Sequence, residues 1–183
     1  MRRAIVTLLA SLIVGAAGTC PVLAACDDPP RPGVDWTQCL KVQIQLPGAD
    51  LNGAELTRVK MTGANLAEAS LSGAVMRQAS LQAARMTRAK LDRADLRSAH
   101  MGGVDLTSAN LAGANLNTAS LAGANLRNAD LRGVDLENAY LVGADLTGAK
   151  LDRAKLDGAN LVRAVWTDGR ICANDSVGIC KGD

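Results

Sequence analysis

The sequence predicts an all-β solenoid, a chain that coils around one continuous apolar core. Ala, Leu and Gly fill 75 of the 183 positions, and only three side chains are aromatic. Apolar residues also recur at every fifth position through most of the chain. A core with so few aromatic rings must be packed by many small, equivalent contacts. A fixed period over a long segment is typical of repeat architectures.

Two apolar series define the repeat. The Leu series runs from Leu46 to Ile171 and has 26 members, of which 20 are Leu and four are Met. The Ala series runs from Ala49 to Ala164, two residues before each Leu-series position, and 21 of its 24 members are Ala. A period of five leaves no apolar stripe on a helix and alternates faces on a continuous strand. We therefore predict short extended stretches joined by corners.

The corners are expected two residues after each Leu-series position. Gly occupies that position in 10 of 24 repeats. Because Gly tolerates turn conformations that other residues resist, this placement favours a tight corner in every repeat. Coils built in this way would stack at strand spacing, about 4.8 Å.

The repeat unit resembles that of a known family. Runs such as Ala114–Thr118 and Ala144–Gly148 resemble the A(D/N)LXX unit of the pentapeptide repeat family, and Asp or Asn precedes the Leu-series residue in 11 of 24 repeats. The resemblance covers about two thirds of the chain. It implies a right-handed quadrilateral β-helix with four pentapeptides per coil, and a rod on the order of 30 Å long. Opposite charges are almost equally frequent at the spacings of a three-sided and a four-sided coil, so only the resemblance favours four sides.

The segments outside the repeat are expected to be a signal peptide and two caps. Residues 1–24 combine two N-terminal arginines with an apolar run and end at a plausible cleavage site after Ala24, which is typical of an export signal; a retained membrane anchor is the alternative. Residues 25–45 and 171–183 are the expected caps of a β-helix over 46–170. Trp36 is expected to lie over the first coil and Trp166 to mark the last.

Four cysteines remain after cleavage at Ala24, an even number that favours disulfides in an exported protein. We predict the local pairs Cys26–Cys39 and Cys172–Cys180, which would close the two caps. The run from Leu23 to Cys26 also fits a bacterial lipobox, and lipidation of Cys26 would leave one thiol unpaired. The chain has no CxxC motif, so a zinc site formed by these cysteines is not favoured.

The charge of the exported chain is balanced in total but uneven along the sequence. Loss of Arg2 and Arg3 leaves 18 basic and 18 acidic side chains. Residues 76–100 sum to +4, and residues 101–147 sum to −3. We call the six cations of the first segment the basic band and expect them to receive an acidic partner or an anionic envelope surface. They are Arg77, Arg85, Arg88, Lys90, Arg93 and Arg97. In a four-sided coil Arg77 and Arg97 would stack, which costs stability unless an anion lies there.

These features favour a scaffold over an enzyme. His100 is the single histidine, so neither a multi-histidine metal site nor a nucleophilic triad can be assembled, and we predict no catalytic, cofactor or metal residue. Balanced charge and scarce aromatics argue against nucleic-acid binding. A topoisomerase-binding DNA mimic, a role known in the family, would need a strongly negative cytoplasmic rod.

The sequence therefore predicts a non-enzymatic, periplasmic or secreted scaffold of the bacterial envelope, with no transmembrane segment after processing. It would bind a protein or have a structural role. The alternative is the same fold anchored to lipid through Cys26. The partner and the oligomeric state are left open.

Overall fold

In the computed structural model, the described residues 26–182 form a parallel β-helix with coils of 20 residues. The expected signal peptide, residues 1–24, lies outside this range. Each parallel ladder contact joins residues 20 apart, from Asp35 with Glu55 to Asp145 with Val165. Each coil has four bridges and four turns. The register therefore gives the coil four sides.

The sides of the coil are very short. Two of every five residues form a turn, so each side contributes one ladder residue, and neither a helix nor a longer strand occurs within residues 26–182. The ladder consists of four columns spaced five residues apart. They run from Asp35 to Lys155, from Leu40 to Asn160, from Gln45 to Val165 and from Asp50 to Lys150.

Each corner is a hydrogen-bonded turn with one left-handed residue. The Ala-series N–H donates to the preceding Leu-series carbonyl, as from Ala54 to Leu51 at 3.1 Å. The residue two places after the Leu-series position has positive φ, which is 62° at Gly53. This is the position at which the sequence favours Gly. Fifteen non-glycine residues also adopt positive φ, including the β-branched Thr118 at 57°.

The Asp or Asn of the repeat closes the corner that follows it. Its side-chain Oδ1 accepts the backbone N–H two residues later, as in Asn115 with Asn117 at 3.0 Å and Asp145 with Thr147 at 2.9 Å. All eleven Asp and Asn positions of the predicted repeat make this bond. Such local side-chain bonds favour turns, which explains why these two residue types recur.

The two apolar series fill the interior of the rod. Every Leu-series side chain from Leu51 to Leu146 is fully buried, and the Ala series beside it is buried over the same coils. The four methionines of the repeat are buried like the leucines they replace. The predicted inward orientation of both series is therefore confirmed.

Coil geometry begins ahead of the boundary expected at residue 46. The ladder starts at Asp35, and the buried Trp36 takes a Leu-series position. The Trp36 N–H donates to the Glu55 carbonyl of the next coil. Trp36 thus lies inside the first coil, whereas the sequence placed it above. Lys41 covers it, with its ammonium 4.4 Å from the ring centroid and bonded to the Cys26 carbonyl. Because Lys41 is charged, it interrupts the apolar period of five, so the sequence pattern does not reveal this coil.

The C-terminal segment covers half of the last coil. Trp166 directly follows Val165, the last residue of the parallel ladder, and the chain then turns back to pair antiparallel through Ile171 and Val177. On the other two sides Leu151 and Leu156 stay partly exposed. Four backbone N–H groups there, of the kind that donates to the next coil elsewhere in the rod, have no acceptor among residues 26–182. They belong to Leu151, Arg153, Leu156 and Gly158.

Both predicted disulfides are present. Cys26 pairs with Cys39 across a Cα–Cα distance of 5.5 Å, and Cys172 pairs with Cys180 across 4.9 Å. Both separations lie in the range that disulfides require. Each bridge therefore closes a short loop at one end of the rod.

Candidate functional site

The basic band surrounds the rod rather than covering one face. Its members span about one coil, so their side chains leave the rod in several directions. Arg77 and Arg97 share a column, whereas Arg88 lies about half a coil away, toward the opposite side. A single flat partner therefore cannot contact all six cations at once.

Arg77 and Arg97 share one carboxylate, that of Asp95. The Arg77 Nε donates to Asp95 Oδ2 at 2.6 Å. The Arg97 Nε and Nη2 donate to the two oxygens at 2.9 and 2.8 Å. The sequence predicted that an external anion would relieve this stack; the structure places Asp95 there. Two cations on one anion still leave one positive charge.

The environment of Asp95 favours its charged form. Partial burial by itself would raise the pKa of this carboxyl. Hydrogen bonds from Arg97 and Arg77 outweigh that effect and lower the pKa to about 2. Asp95 is therefore ionised at neutral pH, and the three side chains form one charged cluster.

The other members of the basic band differ in their pairing. Arg88 pairs with Glu68 one coil earlier, but both side chains are mostly exposed, so the pair contributes little. No ion pair within residues 26–182 involves Arg85, Lys90 or Arg93. These three cations are available to a ligand and lie in different stacked columns of the rod.

An open depression of about 260 Å³, here called the cavity, lies beside the Arg77–Asp95–Arg97 cluster. Its walls come from two adjacent columns of residues that are stacked 20 apart in sequence. Each column contributes residues from three consecutive coils, so the cavity spans three coils. The lining residues are Arg77, Gln78, Arg97, Ser98, Asn117 and Thr118. Gln78, Ser98, Asn117 and Thr118 carry no signal in the sequence, because only the register of the coils brings them beside the two arginines.

The acidic segment offers the same ion pairs without a surplus cation. Arg127 donates to Asp145 at 2.9 Å, and Arg132 donates to Asp130 at 2.6 Å. The bond from Arg132 lowers the pKa of Asp130. Each arginine here has its own carboxylate, so these pairs are locally neutral.

A larger open groove of about 680 Å³ lies on a corner of the later coils. It is lined by Ala112, Arg132, Gly133, Asp152 and Arg153. Arg132 is already bonded to Asp130, and the groove holds one further cation, Arg153, and one further anion, Asp152. This groove therefore has no net charge to offer a ligand.

His100 is exposed on a ladder column between Ser80 and Ser120. Within residues 26–182, no group of three or more His, Cys, Asp or Glu side chains could hold a metal ion. No helix in that range is long and apolar enough to cross a membrane.

The repeats match a known family model over most of the chain. The model, described as "Pentapeptide repeats", matches in eight copies over residues 43–71, 60–101, 99–138 and 129–165. These segments are continuous from 43 to 165 and so include about two thirds of the sequence. No functionally curated protein matches the chain.

Solved structures of similar proteins include cyanobacterial proteins and an antibiotic-resistance protein. HetL of Nostoc sp. strain PCC 7120, described as involved in heterocyst differentiation regulation, is 25% identical over 76% of this chain and 92% of its own, with a TM-score of 0.27. Rfr23 of Cyanothece 51142 is 28% identical over 68% and 85%, with a TM-score of 0.33. QnrB1, a plasmid-mediated fluoroquinolone resistance protein, is 18% identical over 73% and 79%, with a TM-score of 0.39. All three TM-scores are low, so the repeat model alone carries the assignment.

Proposed function

The chain belongs to the pentapeptide repeat family, and on that premise we propose that it is an exported, non-enzymatic scaffold that binds a protein in the bacterial envelope. Membership implies the right-handed sense of the coil and a protein of a generally structural or binding kind. The rigid rod presents its outer walls as the surface for such a role.

The observation that carries export is the pair of disulfides, one at each end of the rod. Disulfides persist in oxidising compartments and are rare in the cytosol. The arginine-led apolar run at the N-terminus supports the same location. Together they favour the periplasm or secretion.

The alternative of a lipid-anchored protein uses the same cysteine in another way. Lipidation would occupy the thiol of Cys26, which is paired with Cys39 here. The anchored form would then leave Cys39 with a free thiol in the first coil, which also holds the buried Trp36. The disulfide supports the soluble form.

A role as a DNA mimic on a topoisomerase has less support. The precursor has a predicted export signal and the processed chain is neutral, whereas such a mimic needs a negative rod in the cytoplasm. The likeness to QnrB1 is too distant to add to that case. A gyrase supercoiling assay with purified protein is expected to show no inhibition.

A pull-down from periplasmic extract tests the binding role most directly. The tagged mature chain is compared with a variant in which Leu116→Lys introduces a charge into the buried core and disrupts the rod. A protein retained by the folded rod and absent from the variant supports the proposal. Recovery of the chain from the cytoplasm with reduced cysteines would contradict it.

A further inference from the structure

We propose that the cavity beside Arg77 and Arg97 binds the carboxylate of an acidic side chain on a protein partner. This inference rests on the proposed binding function and names the chemistry that the rod recognises. Four features carry it: the surplus charge, the unused donors of the arginines, the amides in the cavity wall and the size of the cavity.

The first feature is the ratio of cations to anions. Arg77 and Arg97 both bond to Asp95, and no second carboxylate joins this cluster within the described part of the chain. One positive charge is therefore uncompensated at the edge of the cavity. A partner carboxylate would neutralise it without separating the existing pair.

The second feature is the number of free donors. Each guanidinium has five N–H groups, and Asp95 occupies only Nε of Arg77 and Nε and Nη2 of Arg97. Both Nη atoms of Arg77 and the Nη1 of Arg97 have no acceptor within residues 26–182. Two planar guanidinium groups with free nitrogens on one column suit the bonds that carboxylates form with arginine.

The third feature is the cavity wall, in which two side-chain amide nitrogens are free to donate. The Gln78 Oε1 already accepts from Arg58 Nε at 2.7 Å, so its amide nitrogen is left to donate. The side chain of Asn117 makes no hydrogen bond with any residue from 26 to 182. Thr118 donates to the Asn117 carbonyl at 2.7 Å and accepts from Ser98 at 2.8 Å, so both hydroxyl protons are in use and neither hydroxyl donates to a ligand. The donors that the wall adds to the two arginines are therefore the amide nitrogens of Gln78 and Asn117.

The fourth feature is size. The cavity volume is about 260 Å³, below the range of about 300–1,000 Å³ that is usual for small-molecule pockets. Because the depression is open to solvent, an acidic side chain that projects from a partner's surface can reach both arginines. A protein partner would therefore insert a single Glu or Asp here and contact the neighbouring walls with its flanking residues.

A hexaglutamate peptide is the probe for this site, and hexaglutamine is its uncharged control. Calorimetry at low salt on the mature chain is expected to detect binding of hexaglutamate only. The side-chain amide NMR signals of Gln78 and Asn117 should shift during the titration. The double variant Arg77→Gln with Arg97→Gln should bind at least tenfold more weakly.

The matched control is Arg127→Gln with Arg132→Gln. These arginines make the same kinds of ion pair, but each has its own carboxylate. Their loss should change hexaglutamate affinity less than twofold. Equal loss in both double variants would overturn the site, because it would show a general charge effect. If the first double variant does not fold, Arg77→Lys with Arg97→Lys keeps the charge and should still weaken binding severalfold.

Inorganic phosphate separates an acidic side chain from a free small anion. If phosphate displaces hexaglutamate with equal or higher affinity, the site takes a small anion and the proposal is overturned. A periplasmic partner retained at full strength by the Arg77→Gln, Arg97→Gln variant would also overturn it, while the scaffold function would stand. Absence of any partner would contradict the scaffold function, and the peptide titration would still decide the site.

Discussion

At the scale of single residues, the corner of each pentapeptide carries most of the conformational specificity. A corner needs one residue with positive φ and one side chain that accepts a backbone N–H. Gly meets the first need without a steric penalty, and Asp or Asn meets the second. Where a non-glycine residue has positive φ, the left-handed backbone costs on the order of 1–2 kcal/mol.

Two adjacent glycines test the cost of the corner. Gly103 has a φ of 64° and open space around its missing Cβ, so Gly103→Ala adds only backbone strain. We expect a loss of about 1 kcal/mol in the free energy of unfolding. Gly102 lacks positive φ, and an added Cβ would meet the Ala122 carbonyl at an ordinary 3.7 Å. Gly102→Ala should be neutral or slightly stabilising; equal destabilisation of both variants in urea melts would refute the corner geometry.

The side-chain bond at the corner is tested by Asn115→Ala. This change removes the acceptor for the Asn117 N–H and should cost about 1 kcal/mol. Ser120→Ala is the control, because Ser120 occupies the same repeat position and makes no such bond with the described residues. Thermal melts that show no difference between the two variants would mean that the Asp and Asn of the repeat have another role.

At the scale of elements, the cluster in which Arg77 and Arg97 both bond to Asp95 links two adjacent coils. The pKa of Asp95 falls from its ordinary 3.8 to about 2, so the folded state favours the ionised form. The stability from this group is therefore present above pH 4 and is lost as the pH falls toward 2.

The prediction for this pair is a pH-dependent difference between wild type and Asp95→Asn. At pH 7 the wild type should be more stable by about 1 kcal/mol, since solvent screens part of the interaction, and the difference should shrink as the pH falls from about 4 to 2. Asp152→Asn, which removes a carboxylate without an ion pair in the described part of the chain, should stay within about 0.5 kcal/mol at pH 7. An Asp95→Asn difference that is the same at pH 7 and pH 2 would contradict the assignment.

The two ends of the rod differ from its middle in their backbone bonding. In the last coil the N–H groups of Leu151, Arg153, Leu156 and Gly158 have no acceptor among residues 26–182, whereas the four equivalent groups one coil earlier donate to this coil. Exposed backbone groups exchange hydrogen quickly. The uncovered half of the C-terminal end is therefore expected to be the least protected part of the coiled region.

Hydrogen exchange measured by NMR can compare matched amides. The N–H groups of Leu151 and Leu156 should exchange orders of magnitude faster than those of Leu131 and Leu136, which donate to Lys150 and Lys155. Equal protection at both pairs would mean that something covers the C-terminal edge in solution.

At the scale of the whole molecule, the repeat and the two disulfides at its ends could be predicted from sequence, whereas the first coil and the coil register could not. The period from Leu46 onward predicted the core, because every coil repeats the same side-chain environment. The first coil was missed because Trp36 and Lys41 replace Leu in its series. The coil register could not be derived from charge pairs, since most arginine–carboxylate pairs run diagonally between coils or lie within one corner, as with Arg77 and Arg97 on Asp95. Arg88 with Glu68 is the one arginine–carboxylate pair among residues 26–182 that is 20 residues apart.

The same register explains what was missed in the candidate site. Asn117 and Thr118 lie far from Arg77 and Gln78 in sequence but only two coils away in space. The basic band was identified by counting charges along the chain, which does not reveal that its members surround the rod. The neutralising role of Asp95 needed the geometry of the cluster.

Mass spectrometry of the protein purified from its native host is the most direct test of the account. An exported, disulfide-closed chain is expected to begin at Ala25 and to contain no alkylatable thiol before reduction. After reduction it should gain four alkyl groups. Peptide mapping should find Cys26 linked to Cys39 and Cys172 linked to Cys180. A diacylglycerol on Cys26, or an unprocessed chain with free thiols, would contradict the claim that this rod is an exported, disulfide-closed scaffold.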